Sequence, residues 1–171
     1  SERLLHGKFV SDEQIQAWAD EAERGYDLTK LPPPRPGRPP VGKGPGAAVT
    51  VRLDAQTLNA LMERAAREGI DSRSDAIRAA VREWTLSLNL HASARKHFVR
   101  DRLTDEAVRY AYEHALNSRP LDDENDPGRW LVVGIDQSGR VLEMVVLIFD
   151  SGGELLIHAM KARPQFLEEL R

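Results

Sequence analysis

The sequence predicts an α+β fold built from several small parts, and three patterns lead to this prediction. Short segments with apolar residues at i, i+3, i+4 and i+7 predict amphipathic helices. A stretch rich in proline and glycine predicts a break between parts. Near the C-terminus, three apolar runs separated by tight-turn residues predict an antiparallel β-meander. We expect four parts, which are residues 1–29, 30–46, 47–88 and 89–171.

Composition and charge exclude several classes of protein. The 171 residues include no cysteine, which excludes disulfides, cysteine metal ligands and thiol catalysis. The longest apolar run is far too short to cross a membrane, and no secretory pattern opens the sequence, so we expect a cytoplasmic protein with no membrane partner. The net charge is −3, yet residues 30–52 carry five basic residues and no acidic one. This basic stretch is where an anionic backbone would be attracted.

The first part, residues 1–29, is acidic and contains one predicted helix. Ser11 to Gln14 has capping-box spacing and Gly25 ends the pattern, which together predict a helix over 12–24. A helix this short has no core of its own, so we expect its apolar stripe to dock on a partner surface. The docking residues are Ile15, Trp18, Ala19 and Ala22.

The second part, residues 30–46, is a basic arm with seven prolines and four glycines between Leu31 and Gly46. We expect polyproline-like chain and coil that form neither a helix nor a β-ladder. Residues 35–39, Arg-Pro-Gly-Arg-Pro, resemble the core of an AT-hook, whose arginines enter a narrow minor groove, although Pro36 stands where that motif has arginine. The alternative is a basic linker that attracts DNA without specificity.

The third part has the order strand, helix, helix. Residues 47–53 alternate, with Val49, Val51 and Leu53 on one face, and Asp54 and Ser72 can cap the two following helices. A lone strand leaves every ladder hydrogen bond unmade, and two short helices bury little surface. We therefore expect a homodimer in which two copies form a two-stranded ribbon over their helices.

This pattern, from Ala48 to about Trp84, resembles the ribbon-helix-helix family of the Arc, MetJ and CopG type, which are dimeric DNA-binding proteins. The resemblance implies that the ribbon reads base edges of double-stranded operator DNA and that the second helix begins at a phosphate. The DNA-binding candidates are Ala48, Thr50, Arg52, Ser72, Arg73 and Ser74. The alternative is that Thr50 and Arg52 are the solvated face of a strand and that Ser72 is an ordinary N-cap.

The fourth part, residues 89–171, combines helices with the predicted meander. Thr104 can cap a helix, and the strand candidates are residues 129–136, 140–150 and 154–163. A last helix is predicted after Pro164.

Six polar residues of this part are candidates for chemistry: Lys96, His97, Arg129, Glu143, His158 and Arg163. Glu143 and His158 interrupt apolar strands, where a polar group needs a partner. We expect the six to converge on one sheet face as an anion clamp with proton donors and acceptors. The alternative is that Glu143 pairs with His158 or Arg163 to fix the sheet. The histidine spacing does not suit a metal, so we expect no metal site and no cofactor.

Residues 93–97, 129–134, 139–143 and 157–163 resemble the BrnT-type toxins, which are small ribonucleases of the RelE superfamily. The resemblance implies an endoribonuclease, acting on RNA when released, and a BrnA-type ribbon-helix-helix antitoxin that covers it and represses its own promoter. Both parts occur here in antitoxin-then-toxin order, so we expect a fusion. The alternative is a transcriptional regulator with a non-catalytic C-terminal interaction domain, which the extra residues after His97 favour.

Overall fold

The computed structural model describes residues 3–40, 46–85 and 88–171. These residues form two compact units: unit 1 combines residues 3–40 with residues 88–171, and unit 2 consists of residues 46–85. Unit 2 is therefore inserted, along the chain, between the two segments of unit 1. In the described part of the chain, every helix is too short or too polar to cross a membrane.

The N-terminal segment of unit 1 begins with a small hairpin that the sequence analysis did not predict. Its elements are β1 (Leu4–Leu5), β2 (Lys8–Phe9), α1 (Asp12–Arg24), a 3₁₀ helix (Leu28–Lys30) and β3 (Arg35–Pro36). The predicted helix over 12–24 is confirmed. The Ser11 hydroxyl accepts a hydrogen bond from the Gln14 amide at 3.1 Å, which satisfies one of the free N–H groups at the start of α1.

Unit 2 contains the two predicted helices, α2 (Ala55–Arg67) and α3 (Arg73–Thr85). The Asp54 carboxylate accepts from the Thr57 amide at 2.9 Å and the Ser72 hydroxyl accepts from the Asp75 amide at 3.3 Å, as the capping patterns predict. The strand expected over 47–53 is absent, because these residues have no regular secondary structure in the single chain. A β-ladder needs a second strand, and the described residues of unit 2 supply none.

The C-terminal segment of unit 1 carries the remaining elements. They are β4 (Asn89–Leu90), a second 3₁₀ helix (Ala92–Arg95), α4 (Phe98–Asp101), α5 (Asp105–Glu113), β5 (Ala115–Pro120), β6 (Arg129–Ile135), β7 (Val141–Ile148), β8 (Glu154–Lys161) and α6 (Pro164–Glu169). The predicted helix after Thr104 and the predicted final helix are confirmed. The predicted meander is also confirmed, because β6, β7 and β8 pair in antiparallel order.

The main sheet has six strands in the order β3-β5-β6-β7-β8-β4. The pairing is antiparallel except between β4 and β8, which run parallel. The expectation that the arm forms no ladder is wrong, because Arg35 and Pro36 of β3 pair with Ser118 and Asn117 of β5. Proline, which has no N–H to donate, is tolerated there because one side of an edge strand makes no ladder hydrogen bonds. Residues 41–45 of the predicted arm lie outside the described residues.

Both faces of the sheet are covered by apolar side chains. The α1 face packs against α1, and its buried residues include Ile15, Ala22, Leu131, Val133, Val145, Leu147, Ile157 and Phe166. The α5 face packs against α5, and its buried residues include Val108, Ala111, Tyr112, Trp130, Val132, Met144, Val146 and Leu156. Burial on both sides explains why the strands read as nearly continuous apolar runs.

A β-bulge in β8 sets the direction of one polar side chain. His158 pairs with Val145 while Leu156 pairs with Val146, so that Ile157 is an extra residue between these pairs. Ile157 packs in the core of the α1 face, and His158 reaches Glu143 of β7. The bulge therefore directs two consecutive side chains to the same face, which regular alternation would not allow.

Candidate functional site

Glu143 is the buried centre of a polar cluster on the α1 face. It is 1% exposed, and its carboxylate accepts from the Arg163 backbone amide at 3.0 Å and from Arg163 Nε at 3.1 Å. The Nε2 atom of His158 lies 3.4 Å from Glu143 Oε1. Burial raises the pKa of the Glu143 carboxyl, but the hydrogen bonds from His158 and Arg163 outweigh this effect and hold the pKa below its usual value. Glu143 is therefore a paired carboxylate.

A second histidine lies beside this cluster. The rings of His97 and His158 meet edge to face with centroids 5.9 Å apart. The His97 ring is buried, and its Nε2 atom has no hydrogen-bond partner within the described residues. Burial, followed by the nearby charges of Arg100 and His158, lowers the pKa of His97. The ring is consequently held in its neutral form more strongly than an exposed histidine would be.

Two glutamates of α1 pair with the cations around the cluster. Glu21 Oε2 lies 3.2 Å from Arg129 Nη1, and Glu23 accepts a hydrogen bond from Lys96 Nζ. Glu23 Oε1 is also 3.9 Å from His97 Nε2. The hydrogen bond from Lys96 lowers the pKa of Glu23. The carboxylates of Glu21 and Glu23 therefore lie against the positively charged side chains around the cluster.

Arg163 joins the cluster to the end of α1. Besides pairing with Glu143, its guanidinium donates to the carbonyl oxygens of Glu23 and Ala22, both at 2.7 Å. These carbonyls belong to the last turn of the helix, where a cation is favoured by the helix dipole. The Ala22 carbonyl also accepts from the Gly25 amide at 3.2 Å. Gly25 follows with φ +91, and a Cβ there would lie 3.2 Å from Arg163 Nη1. The glycine thus allows the close approach of Arg163.

The predicted docking stripe of α1 faces the sheet. Ile15, Ala19 and Ala22 are buried, and Ile15 and Ala22 belong to the core of the α1 face. Trp18 is half-buried at its edge, with the Arg129 guanidinium 4.8 Å from the centre of its ring. Arg129 therefore contacts both an acidic and an aromatic residue of α1.

The structure thus brings all six predicted residues of the C-terminal part into one region beneath α1, in which Lys96 and Arg129 contact α1 and not Glu143.

Sequence reasoning missed Tyr26. Its hydroxyl is buried without a hydrogen-bond partner in the described part of the chain, and burial followed by the charge of Glu21 raises its pKa. Tyr26 comes directly after Gly25 at the end of α1, and that position was the available signal.

The residues that follow His97 form α4, which ends at Arg102 with φ +53. This turn buries Asp101, whose carboxylate accepts from the Lys161 amide at 3.0 Å and pairs with Arg100 at 2.8 Å. The hydrogen bond from Arg100 lowers the pKa of Asp101. Through Asp101, α4 is therefore attached to β8, the strand that carries His158.

The DNA-binding candidates all lie in unit 2. Ala48, Thr50 and Arg52 are exposed in the segment before α2, and Ser72, Arg73 and Ser74 are exposed at the start of α3. Val49 and Val51 are also exposed, at 80% and 56%, although sequence alternation assigns them to the buried face. Within the single chain, neither face of the expected strand is covered.

Residues 47–86 match the family model described as ribbon-helix-helix protein, copG family. No curated protein and no solved structure matches the chain. The ribbon-helix-helix domain indicates a DNA-binding regulator, and proteins with this domain typically dimerise. The match accounts for the helices of unit 2 and for the segment that precedes them.

The polar cluster of unit 1 has groups suited to an anion and to proton transfer. Lys96, Arg129 and Arg163 supply positive charge, and the imidazoles of His97 and His158 are groups of the kind that act as general acids and bases. Among the described residues, no three histidines or carboxylates stand close enough to hold a metal ion. Carboxylates and carbonyl oxygens of α1 pair with these cations, and α1 occupies the approach from its own side of the sheet.

Proposed function

We propose that this chain is an antitoxin and a toxin joined in one polypeptide. In this proposal, the ribbon-helix-helix domain forms a dimer that represses its own operator, and residues 3–40 keep a C-terminal endoribonuclease inactive. The observation that carries the proposal is the position of α1, whose Glu21 and Glu23 pair with Arg129 and Lys96 beside His97 and His158.

The charges explain why α1 would act as an inhibitor. A bound RNA would bring phosphate oxygens to the same cations, and carboxylates on α1 satisfy those cations instead. Arg163 donates to a carbonyl oxygen at the end of α1, so its guanidinium would also be unavailable to RNA. Inhibition would therefore follow from occupation of the cationic groups, without any change in the fold of the sheet.

The regulatory half of the proposal depends on unit 2. Thr50 and Arg52 lie on one face of the segment that would form the ribbon, and an arginine there can bond guanine with two donors. The exposed start of α3, with Ser72 and Arg73, suits a phosphate oxygen. A two-fold dimer would present both segments to an operator with matching half-sites.

The test removes the inhibitor without shortening the chain. Glu21→Lys with Glu23→Lys places positive charges against Arg129 and Lys96, and we expect the full chain to gain RNA cleavage and to arrest bacterial growth. The matched control is Glu13→Lys with Asp20→Lys, which makes the same charge change on the same helix, where Glu13 is exposed and Asp20 accepts from Gln16. The control chain should stay inactive.

Activity of the first variant must also depend on the cluster. Adding His158→Ala should abolish cleavage, while cleavage that survived this change would come from a contaminant or from another site. If faster hydrogen exchange of α1 amides showed that the helix had been released and RNA stayed intact, the ribonuclease part of the proposal would be wrong.

One observation favours a second function, in which the C-terminal segment is a non-catalytic interaction domain of a regulator. Glu143 is fully buried, and both of its oxygens are bonded to Arg163 or His158. Such pairing fixes neighbouring strands without any chemistry. Release of α1 without RNA cleavage, together with normal operator binding, would support this function.

A further inference from the structure

The arm crosses the edge of the sheet and reaches the face opposite to α1. After β3 pairs with β5, the Gly37 amide continues the ladder by donating to the Leu116 carbonyl at 3.0 Å. Gly37 has φ +79, a conformation that glycine adopts without strain and that turns the chain after Pro36. Pro39 is buried. The N-terminal segment therefore contacts the sheet of the C-terminal segment on both faces and along one edge.

Arg38 enters a buried polar pair on the α5 face. Its Nη2 atom donates to Glu154 Oε1 at 3.0 Å and to Glu154 Oε2 at 3.3 Å. The guanidinium carbon lies 4.7 Å from the centre of the Tyr112 ring. The Tyr112 hydroxyl donates to the same carboxylate of Glu154. One carboxylate and one aromatic ring thus hold the planar cation.

Without the Arg38 guanidinium, the buried Glu154 carboxylate would lower the stability of the fold. It opens β8 and is 2% exposed, beside the buried ring of Tyr112. A buried carboxylate without a positive partner strongly destabilises a fold. Burial, followed by the charge of Glu154, raises the pKa of Tyr112, so the phenol keeps its proton and remains a donor. Tyr112 alone supplies one hydrogen bond and no compensating charge.

We propose that Glu154 and Tyr112 form a guanidinium-binding site of the C-terminal segment and that Arg38 is its built-in ligand. The planar guanidinium suits this site because it can bond a carboxylate and stack on a ring at the same time, which an ammonium group does less well. The arm is then a second attachment of the N-terminal segment, independent of α1. While Arg38 is bound here, it is not available to a DNA minor groove.

The proposal predicts chemical rescue. Arg38→Ala in the full chain should lower the melting temperature of unit 1 by about 5–10 °C, because Glu154 loses its cation. Guanidinium at low millimolar concentration, where its denaturing effect is negligible, should restore part of this loss in a saturable manner. Equal concentrations of sodium and methylammonium should not. Arg35→Ala is the matched control, because Arg35 is an exposed arginine of the same arm.

Two further variants decide the outcome. Glu154→Gln added to Arg38→Ala should abolish the response to guanidinium, since the carboxylate is gone. Arg38→Lys keeps the charge, and hydrogen exchange at the Gly37 amide should be faster in this variant than in the parent chain. Three results would overturn the proposal: an Arg38→Ala chain as stable as the parent, a folded Arg38→Ala chain that does not respond to guanidinium, or unchanged exchange at Gly37 in the Arg38→Lys chain. None of these readouts depends on RNA cleavage.

Discussion

Unit 1 and unit 2 differ in how completely each covers its own apolar surface. In unit 1 both faces of the sheet are buried, one by α1 and the other by α5. In unit 2 large apolar side chains are exposed, and Trp84 is 89% exposed. The N-terminal segment thus covers the sheet of unit 1 within one chain, whereas apolar side chains of unit 2 stay uncovered, as expected for a type of domain that typically dimerises.

The largest effect is expected from Val51→Asp. In a dimer of ribbon-helix-helix domains, Val51 lies beneath the ribbon, and an unpaired charge there costs about 3–5 kcal/mol. This cost corresponds to a rise of about 100- to 4000-fold in the dimer dissociation constant. Sedimentation equilibrium of parent and variant measures the change directly.

Ala48→Asp is the matched control for dimer formation, because alternation places Ala48 on the opposite face of the ribbon. The control should remain a dimer while unit 1 melts normally in both variants. A stable monomer for the parent chain would refute the ribbon and, with it, the contrast between the two units.

Trp18→Ala tests the completeness of unit 1. The half-buried indole covers apolar surface and contacts the Arg129 guanidinium, so its loss should lower the free energy of unfolding of unit 1 by about 2 kcal/mol. Denaturant unfolding measures this loss, and dimer formation should not change. Phe9→Ala is the control, since Phe9 is an exposed aromatic residue of the same segment. An equal loss in both variants would argue against a specific role for Trp18.

Arg52→Ala tests the surface that unit 2 offers to DNA. If Arg52 bonds a base, operator affinity should fall by about 1–3 kcal/mol, while the stability of both units stays constant. Thr50→Ala should relax specificity by less. Footprinting on the operator measures both, and equal affinity of the Arg52→Ala chain and the parent would contradict base reading by Arg52.

The smallest effect concerns His97 and pH. Because burial holds the pKa of His97 in the folded chain below that of the unfolded chain, the unfolded chain binds the proton more readily. The contribution of the neutral ring is complete above the unfolded pKa, about 6.5, and is lost as the pH falls below it. His97→Gln should flatten this fall in unfolding free energy, as followed by denaturant titration. His114→Gln should leave it in place, since His114 is exposed.

Sequence periodicity predicted the fold where elements were long or carried caps. Helix α1, both helices of unit 2 and the three central strands follow patterns with caps or tight turns at their ends. The pairing of β3 with β5 was not predictable, because β3 has only two residues, which lie within a proline-rich stretch, and its partner strand is far along the chain. The strand expected over residues 47–53 is absent for a different reason. Its alternating pattern is that of a strand that pairs with a second copy of the chain, and a single chain supplies no such partner.

The sequence indicated which residues belong to the candidate site more fully than it indicated how they contact one another. Glu143 and His158 stood out because they interrupt apolar strands. The bulge that turns His158 toward Glu143 has no clear sequence signal, because it depends on how the residues of β8 pair with those of β7. Arg38 and Glu154 were missed as a pair, although Glu154 opens an apolar strand in the same way that Glu143 interrupts one. An isolated charge in a strand indicates that a partner exists. For Glu143 the sequence offered His158 and Arg163 as partners, and both bond it, whereas for Glu154 it indicated none.

The insertion of unit 2 between the two segments of unit 1 fixes the order in which the chain is made. Residues 3–40 leave the ribosome before unit 2 and the C-terminal segment, and they find no sheet because β5 to β8 are not yet synthesised. The contacts of unit 2 are local in sequence, so its two helices can form next, whereas unit 1 must join segments that are far apart, which slows its folding. The helix that covers the polar cluster is therefore always synthesised before the strands that carry the cluster. No stage of synthesis produces the C-terminal sheet without its cover already attached to the same chain.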